Sequence, residues 1–270
     1  MSYNKLTGTI PAASLENLRS LSVLHLAENN FFGPITFIGN LTRSLTILSL
    51  LANKLTGTIP ASLGNLRSLS ELYLHNNNLF GPIIFIGNLT RSLTILSLSS
   101  NKLTGTIPAS LGNLKSLSEL YLWNNSLCGP IPPEMNNLTH LYSLHLFSNR
   151  LSGNLPRDVC LGGLLSYFAA FENYFTGPIP KSLKNCSSLV RLRLERNQLS
   201  GNISEAFGTH PHLNYMDLSD NELHGELSLK WEQFNNLAAF KISGNNISGE
   251  IPAALGKATH LQALDLSSNL

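Results

Sequence analysis

An asparagine returns at a fixed interval along this chain: Asn29, Asn53, Asn77, Asn101, Asn125, Asn149, Asn173, Asn197, Asn221, Asn245 and Asn269, every step 24 residues. A period of that length settles the architecture early, because one unit is too small to bury an apolar face alone and must stack on its neighbours. Only the step from Asn4 to Asn29 is longer, by one residue. Upstream of each asparagine runs the frame LxxLxLxxN, as in Leu93, Leu96, Leu98 and Asn101, with Met216, Phe168, Phe240, Ala170 and Ile242 as apolar substitutes.

The alternation in LxL predicts a short strand with one face in the core and the other toward solvent. The closing asparagine is expected to bond backbone groups of the bend and of the next repeat, which would otherwise be buried without partners. LxGxIP supplies an apolar anchor, a glycine for a conformation other residues resist, and a proline where no ladder donor is needed. The xxLGNLxxL half then predicts a return along the outer side as a short helical or 3-10 segment. Eleven such strands at roughly 4.8 Å each form a parallel concave sheet about 50 Å long. The expectation is a right-handed α/β solenoid, residues 1–270 forming a single domain of about eleven repeats with short helical or 3-10 segments on the convex side. The chain enters in mid-repeat at MSYNKLTGTIP and leaves just after Asn269, so an internal segment lacking both terminal caps is expected. Phe37 to Leu50 returns unchanged as Phe85 to Leu98, two repeats later, which marks an internal duplication.

Charge and motif content narrow the function classes. The net charge is +2 with 13% charged residues, and no Lys/Arg run exists to track phosphates, so no nucleic-acid partner is expected. The weakly polar stretch from Leu161 to Phe171 falls short of the ~20 residues that cross a bilayer, and MSYNKLTGTIP lacks a charged start and apolar core, so neither a membrane span nor a signal peptide is expected in this chain. HExxH, GxSxG and metal-spaced Cys/His clusters are missing, and Gly249 to Lys257 has the wrong spacing for a phosphate loop. No catalytic residue, metal ligand or cofactor is expected, and the chain reads as a non-enzyme. His210 and His212 are assigned to an outer loop.

Function must then reside in positions the frame leaves free, the third, fifth, seventh and eighth of LxxLxLxxN, which face the open side of the sheet. Near the amino end these are small or apolar: Ile47, Ser49, Ile95, Ser97 and Ser99. The central repeats carry rings: Tyr73, His75, Tyr121, Trp123, His145, Phe147, Tyr167 and Phe171. A charged block follows, with Arg191, Arg193, Glu195 and Arg196, then Asp217 and Asp220, then Lys241 and Asp265. Rings on a face with no folding need for them mark an interaction surface, whose usual anchors are Trp, Tyr and Arg. The competing reading is drift, with the rings merely stacking on one another at the strand spacing. His75 and His145 are further expected to change charge near pH 6–7 and sense mild acidity.

Seven Asn-x-Ser/Thr sites are candidates for glycosylation: Asn40, Asn88, Asn124, Asn137, Asn185, Asn202 and Asn246. Asn40, Asn88, Asn137 and Asn185 lie 11 or 12 residues past a frame asparagine, on the outer return, where glycans would leave the concave sheet open. Cys160 and Cys186 fall at similar phases of adjacent repeats, so either a disulfide in an oxidising compartment or two buried thiols fits; Cys128 is left over.

The extended consensus LxxLxxLxLxxNxLxGxIPxxLGNL resembles the plant leucine-rich-repeat ectodomains of receptor kinases and receptor-like proteins, over essentially all 270 residues. The stretch from Asn154 to Ser228, NLPRDVCLGGLL to HGELS, is similar to the receptor-kinase subgroup that perceives small secreted peptides. Phe31 to Phe37 and Phe80 to Phe85 depart from it by lacking the proline of IP. The resemblance implies an apoplastic module, on the extracellular side of the plasma membrane, that binds a secreted signalling peptide or protein and recruits a co-receptor kinase. It further implies that Arg191 and Arg193, as an RxR pair, contact the free carboxyl end of a peptide, with a local ion-pair network to Glu195 and Asp217 as the competing reading. An extended peptide would place apolar side chains on Tyr121, Trp123, Phe147 and Phe171. The alternatives are a secreted inhibitor of a pathogen hydrolase, as plant polygalacturonase inhibitors are, and a truncated, non-functional product.

Overall fold

The computed structural model describes residues 4–11, 15, 18, 20–36, 44–84, 92–227, 234 and 236–270, with the side chain of residue 254 excepted. They gather into two compact units, Met1–Leu138 and Thr139–Leu270, and the 24-residue period runs through both.

In each unit the LxL motif forms a parallel front sheet. The first unit contributes Val23–His25, Ile47–Ser49, Glu71–Tyr73, Ile95–Ser97 and Glu119–Tyr121. The second contributes Ser143–His145, Tyr167–Ala169, Arg191–Arg193, Tyr215–Asp217, Ala239–Lys241 and Ala263–Asp265. Neighbouring strands pair at the repeat period, Glu71 with Ile95 and Arg191 with Tyr215, so each frame position forms a column across the sheet. The frame leucines Leu48, Leu50, Leu72, Leu74, Leu96 and Leu98 are fully buried.

A second parallel sheet flanks the first. LxGxI, read from sequence as anchor and turn, is also extended: Lys54–Thr58 pairs with Asn78–Gly81 in the first unit, and Tyr174–Pro178 with Gln198–Asn202 in the second. Each of these strands buries a single apolar residue, Leu55, Leu79, Phe175 or Leu199, between more exposed ones that include the aromatics Phe80 and Tyr174, which leaves little alternation for a strand reading to find. The return segments are short: 3-10 turns at Ala61–Asn65, Ala109–Asn113 and Pro133–Asn137, and single helical turns at Lys181–Lys184 and Ile203–Ala206. Adjacent returns approach so closely that a Cβ at Gly112 would overlap the carbonyl oxygen of Glu134.

The frame asparagine ties repeats together, but backward. Asn101 Nδ2 donates to the carbonyls of Leu98 (3.1 Å) and Ser99 (3.1 Å) in its own bend and of Leu74 (3.0 Å) one repeat earlier. Its Oδ1 accepts from the Leu79 amide, also of the earlier repeat, at 3.0 Å. Asn53 and Asn221 repeat the pattern. The next repeat, expected as the partner, supplies the following asparagine instead. The residue just before each asparagine is left-handed even where it is not glycine: φ is 57° at Asn76, 53° at Glu172, 56° at Arg196 and 55° at Asp220. That conformation disfavours L-residues by about 1–2 kcal/mol, and it turns the backbone carbonyls of the bend onto the asparagine amide.

Cys160 and Cys186 form a disulfide, with Cα atoms 5.8 Å apart, and Cys128 is free and exposed. His210, assigned from sequence to an outer loop, is fully buried. Its ring lies edge-on to Phe207 and against Phe234, and Nδ1 meets the Cys186 carbonyl at 2.9 Å while Nε2 has no partner. Among the described residues no helix is long and apolar enough to cross a membrane.

Candidate functional site

Register places the free frame positions side by side on the front sheet of each unit. In the first unit two tyrosine–glutamate pairs recur two strands apart: Tyr73 Oη donates to Glu71 Oε2 at 2.9 Å, and Tyr121 Oη to Glu119 Oε2 at 2.7 Å. Between them lies Ile95–Ser97, and Ser97 Oγ is bonded to His75 Nδ1 at 2.8 Å. Tyr73 stands edge-on to His75 at 6.2 Å, and Tyr121 and Trp123 are half-buried. Burial, reinforced by the bond to Glu71, pushes the Tyr73 phenol well above its ordinary range. Burial lowers the His75 imidazole from its ordinary value, so mild acid charges it less readily than a free imidazole.

The second unit carries a continuous run of rings and arginines. Phe147 stacks on Phe171 with centroids 4.3 Å apart and an interplanar angle of 8°, and His145 tilts against Phe147 at 6.0 Å. The Arg193 guanidinium caps the stack, its carbon 3.8 Å above the Phe171 centroid. Phe171 is consequently only 8% exposed, although its frame position faces the open side. Arg193 Nε donates to Glu195 Oε1 at 2.8 Å and Nη2 to the same oxygen. On the same strand, exposed Arg191 lies over the ring of Tyr215, one strand on, at 4.4 Å. Among the described residues no carboxylate is within ion-pair distance of Arg191. Tyr167 is half-buried and meets Tyr142 edge-on at 5.3 Å.

Arg196 and Asp217 have internal partners. Arg196 bridges Glu172 at 2.8 Å and Asp220 at 3.7 Å, joining three successive members of the left-handed column. Glu172 also accepts from Ser148 Oγ at 2.7 Å, and that bond, followed by the pairing to Arg196, holds its carboxyl below the ordinary range. Asp217 is buried, accepting from the Tyr215 hydroxyl at 3.2 Å and the Ser219 amide at 3.1 Å. Arg193 thus pairs with Glu195, while Asp217 turns to its own strand and bend. Burial, then the charges of Arg191 and Arg193, lower the His145 imidazole to about 4, so it stays neutral where a mild-acid sensor would titrate.

Sequence reading missed Tyr215, although it occupies the frame position of Arg191 one repeat later and a column comparison finds it. Among the glycosylation candidates, Asn40 and Asn88 lie outside the described residues, while Asn124, Asn137, Asn185, Asn202 and Asn246 are exposed. Asn137 ends a 3-10 return and Asn185 follows a helical one. Asn202 Oδ1 accepts from both the amide and the hydroxyl of Ser204, at 2.9 and 2.8 Å. Among the described residues no group of three or more His, Cys, Asp or Glu side chains is placed to hold a metal ion.

The geometry meets its counterparts in known proteins at this point. No curated protein matches the chain. Among solved structures, the ectodomain of the Arabidopsis receptor kinase HAESA, bound to an amino-terminally extended IDA peptide hormone, is 29% identical with a TM-score of 0.88, covering 100% of this chain and 49% of its own. HAESA is also solved with IDA and the co-receptor SERK1, at TM-score 0.80. A TDR receptor is 30% identical with a TM-score of 0.85, over 100% of this chain and 51% of its own. A plant ice-binding protein is 29% identical with a TM-score of 0.75, over 92% of this chain and 80% of its own. The chain spans about half the length of these receptor ectodomains. The family model for a leucine-rich repeat region matches residues 2–270: the chain belongs to the leucine-rich-repeat family, and plant peptide-hormone receptor ectodomains are among the solved structures it resembles.

Proposed function

We propose that the front sheet recognises an extended secreted peptide or protein segment, without catalysis, as part of the extracellular region of a cell-surface receptor. The observation that carries this reading is the ring and arginine run of the second unit, where Arg191 stands exposed over Tyr215 beside the Phe147–Phe171–Arg193 stack. Arg191 is the open anchor for a peptide carboxylate, since a guanidinium presents a planar fork to such a group. Phe147 and Tyr167 supply ring surface in the second unit, where Phe171 and Asp217 hold their neighbours in place; Tyr121 and Trp123 offer rings on the front sheet of the first unit. Glycans on the exposed return-segment asparagines Asn137 and Asn185 would leave this sheet free. A co-receptor kinase is the proposed second partner, as the HAESA assembly with SERK1 suggests.

The test is calorimetric titration of the secreted chain with a pool of plant signalling peptides in free-acid and carboxamide forms. Arg191→Ala should weaken a free-acid ligand by roughly 1.5–3 kcal/mol, the range for a hydrogen bond to a charged group, and leave its carboxamide copy nearly unchanged. Silence across the pool from a folded protein rejects the peptide reading, and inhibition of a polygalacturonase would then favour the inhibitor.

A second reading has one observation behind it. On the flank sheet of the first unit, the exposed pairs Thr7/Thr9, Thr56/Thr58 and Thr104/Thr106 recur on alternate strands, a regular hydroxyl array of the kind an ice surface could meet. Phe32 and Phe80, each about half exposed, interrupt it on the strands between. Thermal hysteresis in a freezing assay would support this reading over the first.

A further inference from the structure

Arg193 is held from two sides. Phe171 supports the guanidinium plane from below, and Glu195 takes both the Nε and the Nη2 donor on the single oxygen Oε1. Glu195 is 6% exposed, and its other oxygen, Oε2, is buried with no hydrogen-bond partner. The Glu195 carboxylate therefore occupies a bonding edge of Arg193 that an incoming ligand carboxylate would use. If a ligand displaced it, Glu195 would remain enclosed with neither oxygen paired to a cation. A carboxylate in that position avoids the desolvation cost by becoming neutral.

Resting on the reading of this face as a peptide-binding surface, we propose that Glu195 is an internal competitor for ligand carboxylates at Arg193, so that an anionic group binds there only as Glu195 takes up one proton. The exchange makes and breaks no covalent bond except that O–H bond. The Arg193–Glu195 ion pair, a ligand carboxylate and one solvent proton become an Arg193–ligand ion pair and a neutral Glu195. Glu195 is thus the residue that sets what Arg193 accepts: carboxylates under mild acid, and few anions at neutral pH, where Arg191 alone is open.

The surroundings favour such an exchange. On its own strand and bend, Glu195 has Arg193 and Arg196, and Arg196 is already engaged by Glu172 and Asp220. From the preceding repeats come Glu172 and His145, the latter uncharged above about 4. From the following repeats come Asp217, Asp220 and Tyr215, with Lys241 in register with Asp217. Burial lifts the Glu195 carboxyl above its ordinary range and the Asp217 charge adds to this, while the bond from Arg193, and after it one from the residue's own amide, oppose it. Loss of the Arg193 bond to a ligand removes the larger opposing bond, so binding and protonation reinforce each other.

The experiment uses the whole chain and formate, a carboxylate ionised at both pH values compared. The readout is the Nε–H resonance of Arg193 in nitrogen-15-labelled protein, identified by its loss in Arg193→Lys, at constant ionic strength with chloride as control. Wild-type protein should bind formate at about pH 5 and at least tenfold more weakly at about pH 7.5. Glu195→Gln, which keeps the shape and removes the charge, should bind equally at both. Equal wild-type affinity at the two pH values, or a Glu195→Gln protein that keeps the pH dependence or ignores formate, overturns the proposal. The wild-type comparison needs no variant, so it decides the matter even if Glu195→Gln folds poorly. Formate exchange with no peptide bound from the pool removes the peptide reading and leaves the exchange standing. A free-acid peptide bound through Arg193 equally at both pH values does the reverse.

Discussion

A buried imidazole with one bonded nitrogen has a preferred charge. His210 bonds the Cys186 carbonyl through Nδ1, leaves Nε2 unpartnered, and is packed between Phe207 and Phe234. Burial lowers its folded-state affinity for a proton, and the carbonyl bond only partly compensates. In the unfolded chain the ring titrates near 6.5. Its contribution to stability is therefore complete above about pH 6.5 and is lost as the pH falls below that value, because the unfolded state takes up the proton first. The slope is at most about 1.4 kcal/mol per pH unit for one group. Urea midpoints between pH 7.5 and 5 should fall in the wild type and fall less in His210→Leu; equal slopes would exclude His210 as the source. The sequence placed His210 in an outer loop, and although Phe207 stands three residues before it, nothing local reveals that Phe234 of the next repeat closes over it as well. The frame asparagines were legible, since their period and their polarity beside leucines demanded buried partners. Their direction was not, because an amide can reach either adjacent repeat, and the left-handed residue before it decides which carbonyls turn toward it. Phe171 shows the same limit on the front sheet: its column gave its face, but only packing shows that Phe147 and Arg193 cover it.

At the level of elements, the front strands were readable and the flank strands were not. Two leucines alternating with polar residues announce a strand, whereas KLTGT offers one leucine and a glycine that turns to φ 85° at Gly57. That strand is made by its neighbours: Lys54–Thr58 pairs on one side with Asn30–Pro34 and on the other with Asn78–Gly81. The return segments depend on contact in a different way. A Cβ at Gly112 would collide with backbone of the adjacent return at Glu134, while one at Gly256, in the same LG dipeptide of another repeat, meets nothing within 4 Å. Gly112→Ala should cost about 1–3 kcal/mol, the range for forced overpacking, and Gly256→Ala should stay within about 0.5 kcal/mol. Denaturant midpoints on the two proteins measure the contrast. Equal effects would mean that the glycine is selected for backbone freedom and not for close approach.

On the scale of the whole molecule, stability comes from neighbour contacts along the array plus one covalent tie. The Cys160–Cys186 bridge, 26 residues apart, links adjacent repeats within the second unit. Replacing both by serine should lower stability by about 2–4 kcal/mol, mainly through a freer unfolded chain, and reduction of the wild type should lower its melting temperature toward that of the variant. A wild-type protein insensitive to reductant would place the stabilisation elsewhere. The same nearest-neighbour logic gives the ring and arginine run its rigidity: each side chain rests on one from the repeat beside it, so that face is ordered only where its repeats are stacked.

The backward reach of the asparagine has a consequence for biosynthesis. Asn101 bonds Leu74 and Leu79, which the ribosome completes earlier, so a repeat leaves the exit tunnel with its flank-strand amide unclaimed and its bend carbonyl held only by its own asparagine, as Asn77 holds Leu74. The amide is satisfied, and the carbonyl gains its second donor, only when the next asparagine emerges, 24 residues after the last. At roughly 5–20 residues per second of translation that is a delay of about one to five seconds. The nascent chain therefore carries one unfinished repeat at its growing edge throughout synthesis, the segment a chaperone would recognise, and that edge advances with the ribosome.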